Sequence, residues 1–518
     1  MLPFVWDRSR GRTRAAAPSS NNVLVVGDTF GNKTLDPGRT GEFLSLEIDH
    51  AAYDTLVTFY GADLKTPRPS LATNWKVSED GRTYTFILRP GVKFASGNPL
   101  TSADVKWSFD RFINLKGVNS AFFDAVAEVQ APDTGTVVIR LKQPQPSLIP
   151  ILQVVFVLDS KLVMENGGDA SPDATSKDRA EQFLNTKSAG SGPFMLASYT
   201  TGNEAVLVRN PNYWGPAAKL DRVIIHNVPE SSVQGLQLRR GDIDIAMALN
   251  HSDAEALRSA SGVVIRSFLT AVTFELVMNE DRDIGGPFAN PKVQQAVRYA
   301  LDYQGLLKIA GPGAVRVAGL VPLIIPGALD PREAMQMDRA KAKALLAQSG
   351  VGNVSGTLSY GNILRMGVQT ELVAQKVQSD LAEVGMQINL DGEAYVTALT
   401  KYRSGKDQFG LWSYALSYAD ADQYLLFAPG LDMAKRVHWH PESAAAAKAL
   451  NDLAMRAFAE TNTTKRLMLY QQAARQLNEI GPFVPLFEPA IPLGYRSNVS
   501  GVTYNGVWGL DFYTIARS

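Results

Sequence analysis

The stretch from Leu71 to Val105, LATNWKVSEDGRTYTFILRPGVKFASGNPLTSADV, carries the densest folding signals in the chain. Asp80-Gly81 predicts a hairpin turn. The run Thr83–Leu88 that follows alternates with period two, as expected of a half-buried strand. Proline and glycine clusters then predict further turns before Thr101, which can cap a helix. Most of this block is therefore predicted to be scaffold.

A strand-rich pattern extends on both sides of this block, from Val23 to about residue 270. Thr136–Leu141 repeats the period-two alternation. After about residue 286 the pattern changes, and Gly356–Tyr360, Gln369–Val384 and Met386–Leu390 are typical of a strand, a helix and a strand. Such a unit implies parallel strands with a right-handed crossover.

The order of these segments predicts one lobe inserted into another. Asn290 is expected to cap a helix early in the helix-rich part. Pro441–Glu479 reads as one long helical stretch, and residues 482–518 return to strand and turn patterns. We expect a first lobe from residues 22–270 and 482–518 and a second from residues 271–481, with two chain crossings between them.

Composition excludes several classes of function. The 518 residues allow roughly two to four domains. Lysine plus arginine and aspartate plus glutamate balance at 51 each, which gives no electrostatic footprint for nucleic acid or an anionic membrane. The absence of cysteine excludes disulfides and thiolate sites. No apolar run approaches the roughly 18 residues of a transmembrane helix.

The N-terminal segment allows two interpretations. Met1–Arg14 is rich in arginine and has no apolar core, so it is not a complete secretory signal. Ala15-Ala16-Ala17-Pro18 resembles the small-residue region at which such signals are cleaved. We expect residues 1–21 to be either a partial signal remnant or a disordered basic arm.

The block at 71–105 resembles the bacterial extracellular solute-binding proteins of family 5, the peptide- and nickel-binding type. The resemblance covers the chain from Asn22 to about Tyr495. Further segments that carry it are TLDP at 34–37, YDTLV at 53–57, SGPF at 191–194, NPNYWG at 210–215, GDID at 241–244 and VRYALD at 297–302.

This resemblance implies an α/β fold with two lobes, a type II periplasmic-binding-protein clamp of the large cluster with an extra subdomain in the first lobe. It implies that a ligand lies in the interlobe cleft, that the lobes close over it by hinge motion, and that the permease subunits of an ABC importer recognise the closed form. We further expect a periplasmic or extracytoplasmic monomer with no nucleic-acid partner and no cofactor.

The resemblance also implies a ligand site at residues 412–424, WSYALSYADADQY. Tyr414 stands where relatives have a tryptophan that packs on the ligand, and Ser417 stands where peptide binders have the aspartate that pairs with the α-amine. Serine gives a buried ammonium no counter-charge, unless Asp420 or another acid replaces the aspartate. The alternative is an aromatic strand edge in the core. The expected ligand contacts here are Trp412, Tyr414, Leu416, Ser417, Tyr418 and Asp420.

Three other positions are candidates for ligand contact. Arg365 follows a predicted strand, where relatives have a cation that contacts the ligand carboxylate, and a guanidinium suits that role. The alternative is a solvated loop arginine. Phe30, Gly31 and Asn32 follow the first strand, at the rim of the first lobe. Phe156 lies in an apolar run and is a further candidate.

Enzyme signals are weak, since the chain has no nucleophile elbow, phosphate loop, zinc-protease helix or dinucleotide fingerprint. A carboxylate-type hydrolase is the enzymatic alternative. His438-Trp439-His440 is interpreted as a surface turn and not as a metal site. We expect a solute with a carboxylate and no essential free α-amine, such as a modified peptide or an amino-acid conjugate. Ordinary di- or oligopeptides are the alternative ligands, and signalling to a membrane receptor is a third possible role.

Overall fold

The computed structural model describes residues 22–518, so the predicted arm or signal remnant at residues 1–21 lies outside the described residues. The described chain is a mixed α/β protein with two lobes, each built around one main sheet. None of the helices within residues 22–518 is both long enough and apolar enough to cross a membrane.

The first lobe contains a seven-stranded mixed sheet. Val23–Asp28 lies inside it, between Arg222–Asn227 and Ile245–Ala246, and pairs in parallel with both. The carboxyl end of such a strand opens on a crevice of the kind in which α/β sheets bind ligands. In spatial order the strands are Val263–Leu269, Ala490–Arg496, Ile245–Ala246, Val23–Asp28, Arg222–Asn227, Glu204–Arg209 and Phe194–Thr200.

The block at 71–105 forms part of a smaller antiparallel sheet in the first lobe. Gly81 adopts a left-handed φ of 65° at the predicted hairpin turn. The backbone N–H of Thr101 donates to Asp104 Oδ2 at 2.9 Å and so closes a capping box at the start of the helix Ser102–Leu115. The four strands are, in spatial order, Ala72–Val77, Thr83–Leu88, Thr136–Leu141 and Val126–Asp133.

The second lobe is built around a five-stranded sheet. The predicted strand–helix–strand unit is present, because Ser355–Gly361 pairs in parallel with Gln387–Glu393 and the helix Thr370–Ala382 joins them. In spatial order the strands are Gln387–Glu393, Ser355–Gly361, Phe409–Ala415, Val272–Met278 and Phe483–Phe487. The last strand pairs with Val272–Met278, so the chain returns to the first lobe after Phe487 and not at residue 482.

The two chain crossings run side by side. The backbone N–H of Thr270 donates to Pro489 O at 3.2 Å, and the Thr270 hydroxyl donates to the same oxygen at 3.0 Å. Thr270 is completely buried. Short two-stranded ribbons are formed by Val57–Thr58 with Arg68–Pro69, Leu364–Arg365 with Val368–Gln369, Val499–Ser500 with Ala516–Arg517 and Tyr504–Asn505 with Gly509–Leu510.

The predicted helical stretch Pro441–Glu479 is divided. A 3₁₀ turn at Pro441–Ser443 precedes the helix Ala445–Ala459, and Asn462 Oδ1 accepts from the Lys465 N–H at 3.0 Å to begin the helix Thr463–Ile480. The predicted Asn290 cap is confirmed by its bond from the Lys292 N–H.

The α-helices within residues 22–518 are Phe43–Ala52, Ser102–Leu115, Leu148–Ile151, Ser160–Glu165, Ala174–Lys177, Glu181–Leu184, Ser231–Arg240, His251–Leu257, Arg282–Gly285, Pro291–Ala300, Tyr303–Ala310, Arg339–Ser349, Thr370–Ala382, Tyr395–Arg403, Asp432–Lys435, Ala445–Ala459 and Thr463–Ile480. The 3₁₀ helices are Ser120–Phe123, Leu152–Val154, Gly286–Ala289, Pro331–Glu333, Ala421–Phe427 and Pro441–Ser443.

A buried ion-pair network gives the TLDP segment at residues 34–37 a structural role. Arg111, on the helix Ser102–Leu115, is 1% exposed. Its guanidinium donates to both carboxylate oxygens of Asp36 at 2.7 Å, and its Nε donates to Asp178 Oδ2 at 2.8 Å. The TLDP segment is thereby fixed to the helix and to the loop of Asp178.

Candidate functional site

A cavity of about 340 Å³ lies between the two lobes. Its volume is at the lower end of the roughly 300–1,000 Å³ of small-molecule sites. The first lobe contributes Asp28, Phe43, Glu47 and Tyr504 to its walls, and the second lobe contributes Ile363, Leu364, Met366 and Gly367. The cavity therefore lies where a two-lobed clamp would enclose a solute.

Arg365 lies on the second lobe between Leu364 and Met366, two of the residues that line the cavity. Its Cζ lies 5.8 Å from the ring centroid of Phe43 on the first lobe. Its Nε is buried and has no hydrogen-bond partner among residues 22–518. The Arg365 side chain therefore packs against the first lobe next to the cavity lining, and its contact with a ligand stays a prediction.

The turn that carries Arg365 is held tightly against the first lobe. Met366 and Gly367 both have left-handed backbone conformations, with φ of 50° and 79°. A Cβ atom on Gly367 would lie 2.6 Å from Pro492 Cδ in the first sheet. Glycine at 367 therefore permits both the turn and the close approach of the two lobes.

Two acidic side chains from the first lobe share the cavity, and the sequence interpretation missed both. Asp28 ends the strand Val23–Asp28, and burial raises its pKa to about 6. Glu47 lies on the helix Phe43–Ala52 and is 3% exposed. Burial, and then the charge of Asp28, raises the pKa of Glu47 well above its usual range.

The predicted rim residues pack on the first sheet. The ring of Phe30 stacks on Tyr199 with centroids 6.2 Å apart, and the Tyr199 hydroxyl donates to Asn32 Oδ1 at 3.1 Å. Gly31 is exposed. The cavity itself is lined by the two residues before them, Asp28 and Thr29.

The aromatic segment of the second lobe lies at the interface between the lobes, outside the lining of this cavity. Trp412 stacks on Tyr402 with centroids 4.7 Å apart. Tyr414 makes an edge contact with Tyr424 at 5.3 Å. Tyr418 makes an edge contact with Phe122 of the first lobe at 4.9 Å. Trp412 and Leu416 belong to one apolar cluster with residues of the first lobe, namely Leu46, Phe156 and Trp508.

Phe156 lies in the floor of this interface. It is 2% exposed and makes an edge contact with His50 at 4.9 Å. His50 in turn stacks on Trp508 at 4.3 Å. Burial lowers the pKa of His50 to about 3, so this ring is neutral and adds no charge to the interface.

Ser417 and Asp420 are both engaged within the protein. The Ser417 N–H donates to Gln423 Oε1 at 3.0 Å. Asp420 forms an ion pair with Arg466 at 3.1 Å and accepts from the Tyr470 hydroxyl at 3.1 Å. An acid that is already neutralised cannot balance a second buried cation, so Asp420 is a poor replacement for the aspartate absent at Ser417.

The His438-Trp439-His440 segment is not simply a surface turn. Trp439 is 3% exposed and packs on Phe483, with ring centroids 6.3 Å apart. His438 Nδ1 lies 3.1 Å from Asn279 Oδ1, and His440 is exposed. Within residues 22–518 no group of three or more histidine, cysteine, aspartate or glutamate side chains is arranged to hold a metal ion.

Comparison with known proteins agrees with this architecture. The family described as "Bacterial extracellular solute-binding proteins, family 5 Middle" matches residues 66–430. The chain is 28% identical to the probable D,D-dipeptide-binding periplasmic protein of Escherichia coli (strain K12), over 98% of this chain and 95% of that protein. It is 26% identical to the di/tripeptide-binding protein 2 of Pseudomonas aeruginosa (strain UCBPP-PA14), over 96% and 95%.

A solved structure shows the same fold. The ABC transporter substrate-binding protein CtaP of Listeria monocytogenes superposes with a TM-score of 0.83 at 22% identity, covering 96% of this chain and 99% of that chain. The family match spans more than half of the sequence and includes the block at 71–105. The protein therefore belongs to the bacterial extracellular solute-binding proteins of family 5.

Proposed function

We propose that the protein captures a small, carboxylate-bearing, peptide-like solute between its lobes and delivers it to the permease of an ABC importer. The observation that carries the proposal is Arg365, a second-lobe cation whose buried Nε lacks a partner within residues 22–518 beside a cavity walled by both lobes. A guanidinium in such a place binds a carboxylate through paired hydrogen bonds.

The division into lobes belongs to the same proposal. The first lobe comprises residues 22–270 and about 489–518, and the second comprises about 271–488. The side-by-side crossings at Thr270 and Pro489 serve as the hinge. Closure brings Arg365 toward Phe43 and removes the solute from water.

The aromatic residues Trp412, Tyr414 and Tyr418 lie at the interface outside the lining of the cavity, and we propose that they extend the site as an apolar wall. Leu416, Ser417 and Phe156 complete this wall, and Phe30, Gly31 and Asn32 form the rim of the first lobe. Aromatic faces accept apolar side chains and rings alike, so these residues contribute affinity more than selectivity.

The protein acts outside the cytoplasm, as a monomer, and releases its solute unchanged. Membership of an extracellular solute-binding family supports the location and the absence of catalysis. The relatives named for D,D-dipeptides and for di- and tripeptides support a short peptide or peptide-like conjugate as the solute. A cavity of about 340 Å³ also favours a ligand of dipeptide size over a long oligopeptide.

A thermal-shift screen of carboxylate-bearing solutes tests the proposal. The screen contains D,D- and L,L-dipeptides, tripeptides and amino-acid conjugates, and mass spectrometry follows each stabilising compound for conversion. A cognate solute at a hundredfold excess over Kd should stabilise the protein by about 2.7 kcal/mol and remain intact. Arg365→Ala should abolish most of this gain, because the solute carboxylate would be buried without a partner.

Arg475→Ala is the matched control. Arg475 pairs with Glu333 on the exposed surface of the second lobe, so its loss should leave solute binding unchanged. Equal binding by wild-type protein and Arg365→Ala would remove Arg365 from the site. Chemical conversion of the stabilising compound would favour the hydrolase alternative.

A further inference from the structure

The two acids of the cavity, Asp28 and Glu47, are held in place by backbone groups of the first lobe. Asp28 Oδ1 accepts from the Thr29 N–H at 2.7 Å. The backbone N–H of Leu510 lies near the Glu47 carboxylate and lowers its pKa, and a Cβ atom on Gly509 would lie 2.8 Å from Glu47 Oε2. Glycine at 509 leaves the space in which the Glu47 carboxylate lies. Both acids are thus positioned without help from a basic side chain.

No cation balances these two acids. Among residues 22–518, neither Asp28 nor Glu47 forms an ion pair with a lysine or arginine, and no basic side chain lowers the pKa of either acid. The contrast with Asp420, which pairs with Arg466 at 3.1 Å, is direct. A buried acid without a counter-charge takes up a proton, and a cationic ligand group at the same place favours the ionised form instead.

Tyr504 adds a third polar side chain to the cavity. It lines the same cavity and is 3% exposed. Its hydroxyl makes no hydrogen bond to any residue within 22–518, and burial, followed by the charges of Glu47 and Asp28, raises its pKa. A tyrosine hydroxyl that opens on the cavity can donate to or accept from a polar group of a ligand.

We propose that Asp28 and Glu47 bind a cationic group of the solute, an ammonium or a guanidinium, while Arg365 binds its carboxylate. The ligand is then a dipeptide-sized zwitterion. This inference rests on the proposed function and deepens it, since it assigns the amine contact that Ser417 cannot make. The acid lies on the first lobe and the base on the second, so a zwitterion would link the lobes through its two charges.

The test compares free and N-acetylated dipeptides on charge-removing variants. The probes are D-alanyl-D-alanine, L-alanyl-L-alanine and L-alanyl-L-lysine, each with its N-acetyl form, and binding is measured by isothermal titration calorimetry. Glu47→Gln and Asp28→Asn keep the side-chain size. Each should weaken binding of a free-amine dipeptide about tenfold or more and leave any binding of its N-acetyl form within about twofold.

Asp49→Asn is the matched control, because Asp49 lies on the same helix as Glu47 but accepts from the Thr40 hydroxyl outside the cavity. It should not change dipeptide affinity. Free and acetylated dipeptides that bind wild type and Glu47→Gln equally well would overturn the inference and leave Arg365 and the proposed function intact. Binding of only those solutes that lack a cationic group would also overturn the inference and leave the proposed function intact. If no solute of the wider screen binds, the proposed function itself fails.

Discussion

The buried carboxylates of this protein differ in whether a basic side chain balances their charge. Asp36 and Asp178 share Arg111, and Asp420 has Arg466. Glu275, on the strand Val272–Met278, is 2% exposed, and its Oε2 has no hydrogen-bond partner within residues 22–518. Burial raises the pKa of Glu275 to about 8. This side chain therefore holds its proton at neutral pH.

Glu275 should make the stability of the protein pH-dependent. The unfolded chain loses the proton near the ordinary pKa of about 4.3 and the folded chain only near 8, so stability falls as pH rises between these values. Glu275→Gln removes this loss. The stability of the variant minus that of wild type should be greater at pH 8.5 than at pH 5.5, by about 1–3 kcal/mol. Melting temperatures of both proteins at the two pH values check this.

Glu333→Gln is the control for this measurement. Glu333 is solvent-exposed, pairs with Arg475 and has a lowered pKa, so it is ionised in both the folded and the unfolded states above pH 5.5. Its replacement should cause the same small shift at both pH values. A Glu275→Gln variant that also behaves this way would mean that Glu275 is already ionised in the folded protein.

The sequence can predict the location of a single residue only where the pattern of its neighbours is distinctive. The position of Arg365 next to the cavity lining could be predicted because it follows the recognisable strand Ser355–Gly361. Glu47 could not, because its burial depends on Gly509 and Leu510, which are distant in the chain. Asp28 is a single acid after an apolar strand, and nothing in its neighbours shows that it faces a cavity. The absence of an acid at Ser417 stays a prediction about the ligand, and the position of Ser417 in the sequence could not show where other acids lie.

Among the elements, the helix Ser102–Leu115 does more than cover its sheet. It carries Arg111, which joins two loops from other parts of the first lobe through Asp36 and Asp178. The Asp36 and Asp178 side chains are fully buried. Loss of the arginine would leave two carboxylates in a dry environment, which is far more costly than loss of a surface pair.

Arg111→Ala should therefore destabilise the protein by about 3–5 kcal/mol in chemical denaturation. Arg111→Lys should fall between wild type and alanine, because it keeps the charge but loses the paired hydrogen bonds. Lys106→Ala, on the same helix, removes the exposed pair with Asp110 and should cost about 0.5 kcal/mol or less. Similar losses in Arg111→Ala and Lys106→Ala would show that the network contributes little.

The elements themselves were predicted well wherever turns and periodicity agreed. The strand Thr83–Leu88, the Thr101 capping box and the unit from Ser355 to Glu393 match the sequence patterns. The sequence pattern placed Phe483–Phe487 with the first lobe, because FVPLF fits either sheet, and only the pairing with Val272–Met278 shows that this strand belongs to the second sheet. The break at residues 460–462 was missed because both flanking segments have strong helical patterns.

Over the whole molecule, two lobes joined by adjacent crossings should move as a clamp. Solute binding should therefore reduce the radius of gyration measured by small-angle X-ray scattering. Hydrogen exchange should slow in both the Leu364–Gln369 turn and the helix Phe43–Ala52, since these face each other across the cavity. The probe is the compound that gives the largest thermal shift in the screen.

Arg365→Ala is the control for closure, since it removes the side chain that approaches the first lobe. In this variant the same concentration of the compound should change neither the scattering nor the exchange. Protection confined to one lobe of the wild-type protein would contradict closure and indicate a site on that lobe alone.

The adjacency of Thr270 and Pro489 also bears on how such proteins diversify. The two ends of the second-lobe segment are only a hydrogen bond apart. This segment can therefore be exchanged for another without distorting the first lobe. Recombination at these two positions would replace the whole second lobe in one step. Arg365 would travel with that lobe, whereas Asp28 and Glu47 would stay behind. Exchange among homologues would then replace the proposed carboxylate contact while the recipient kept the proposed contact for a cationic group.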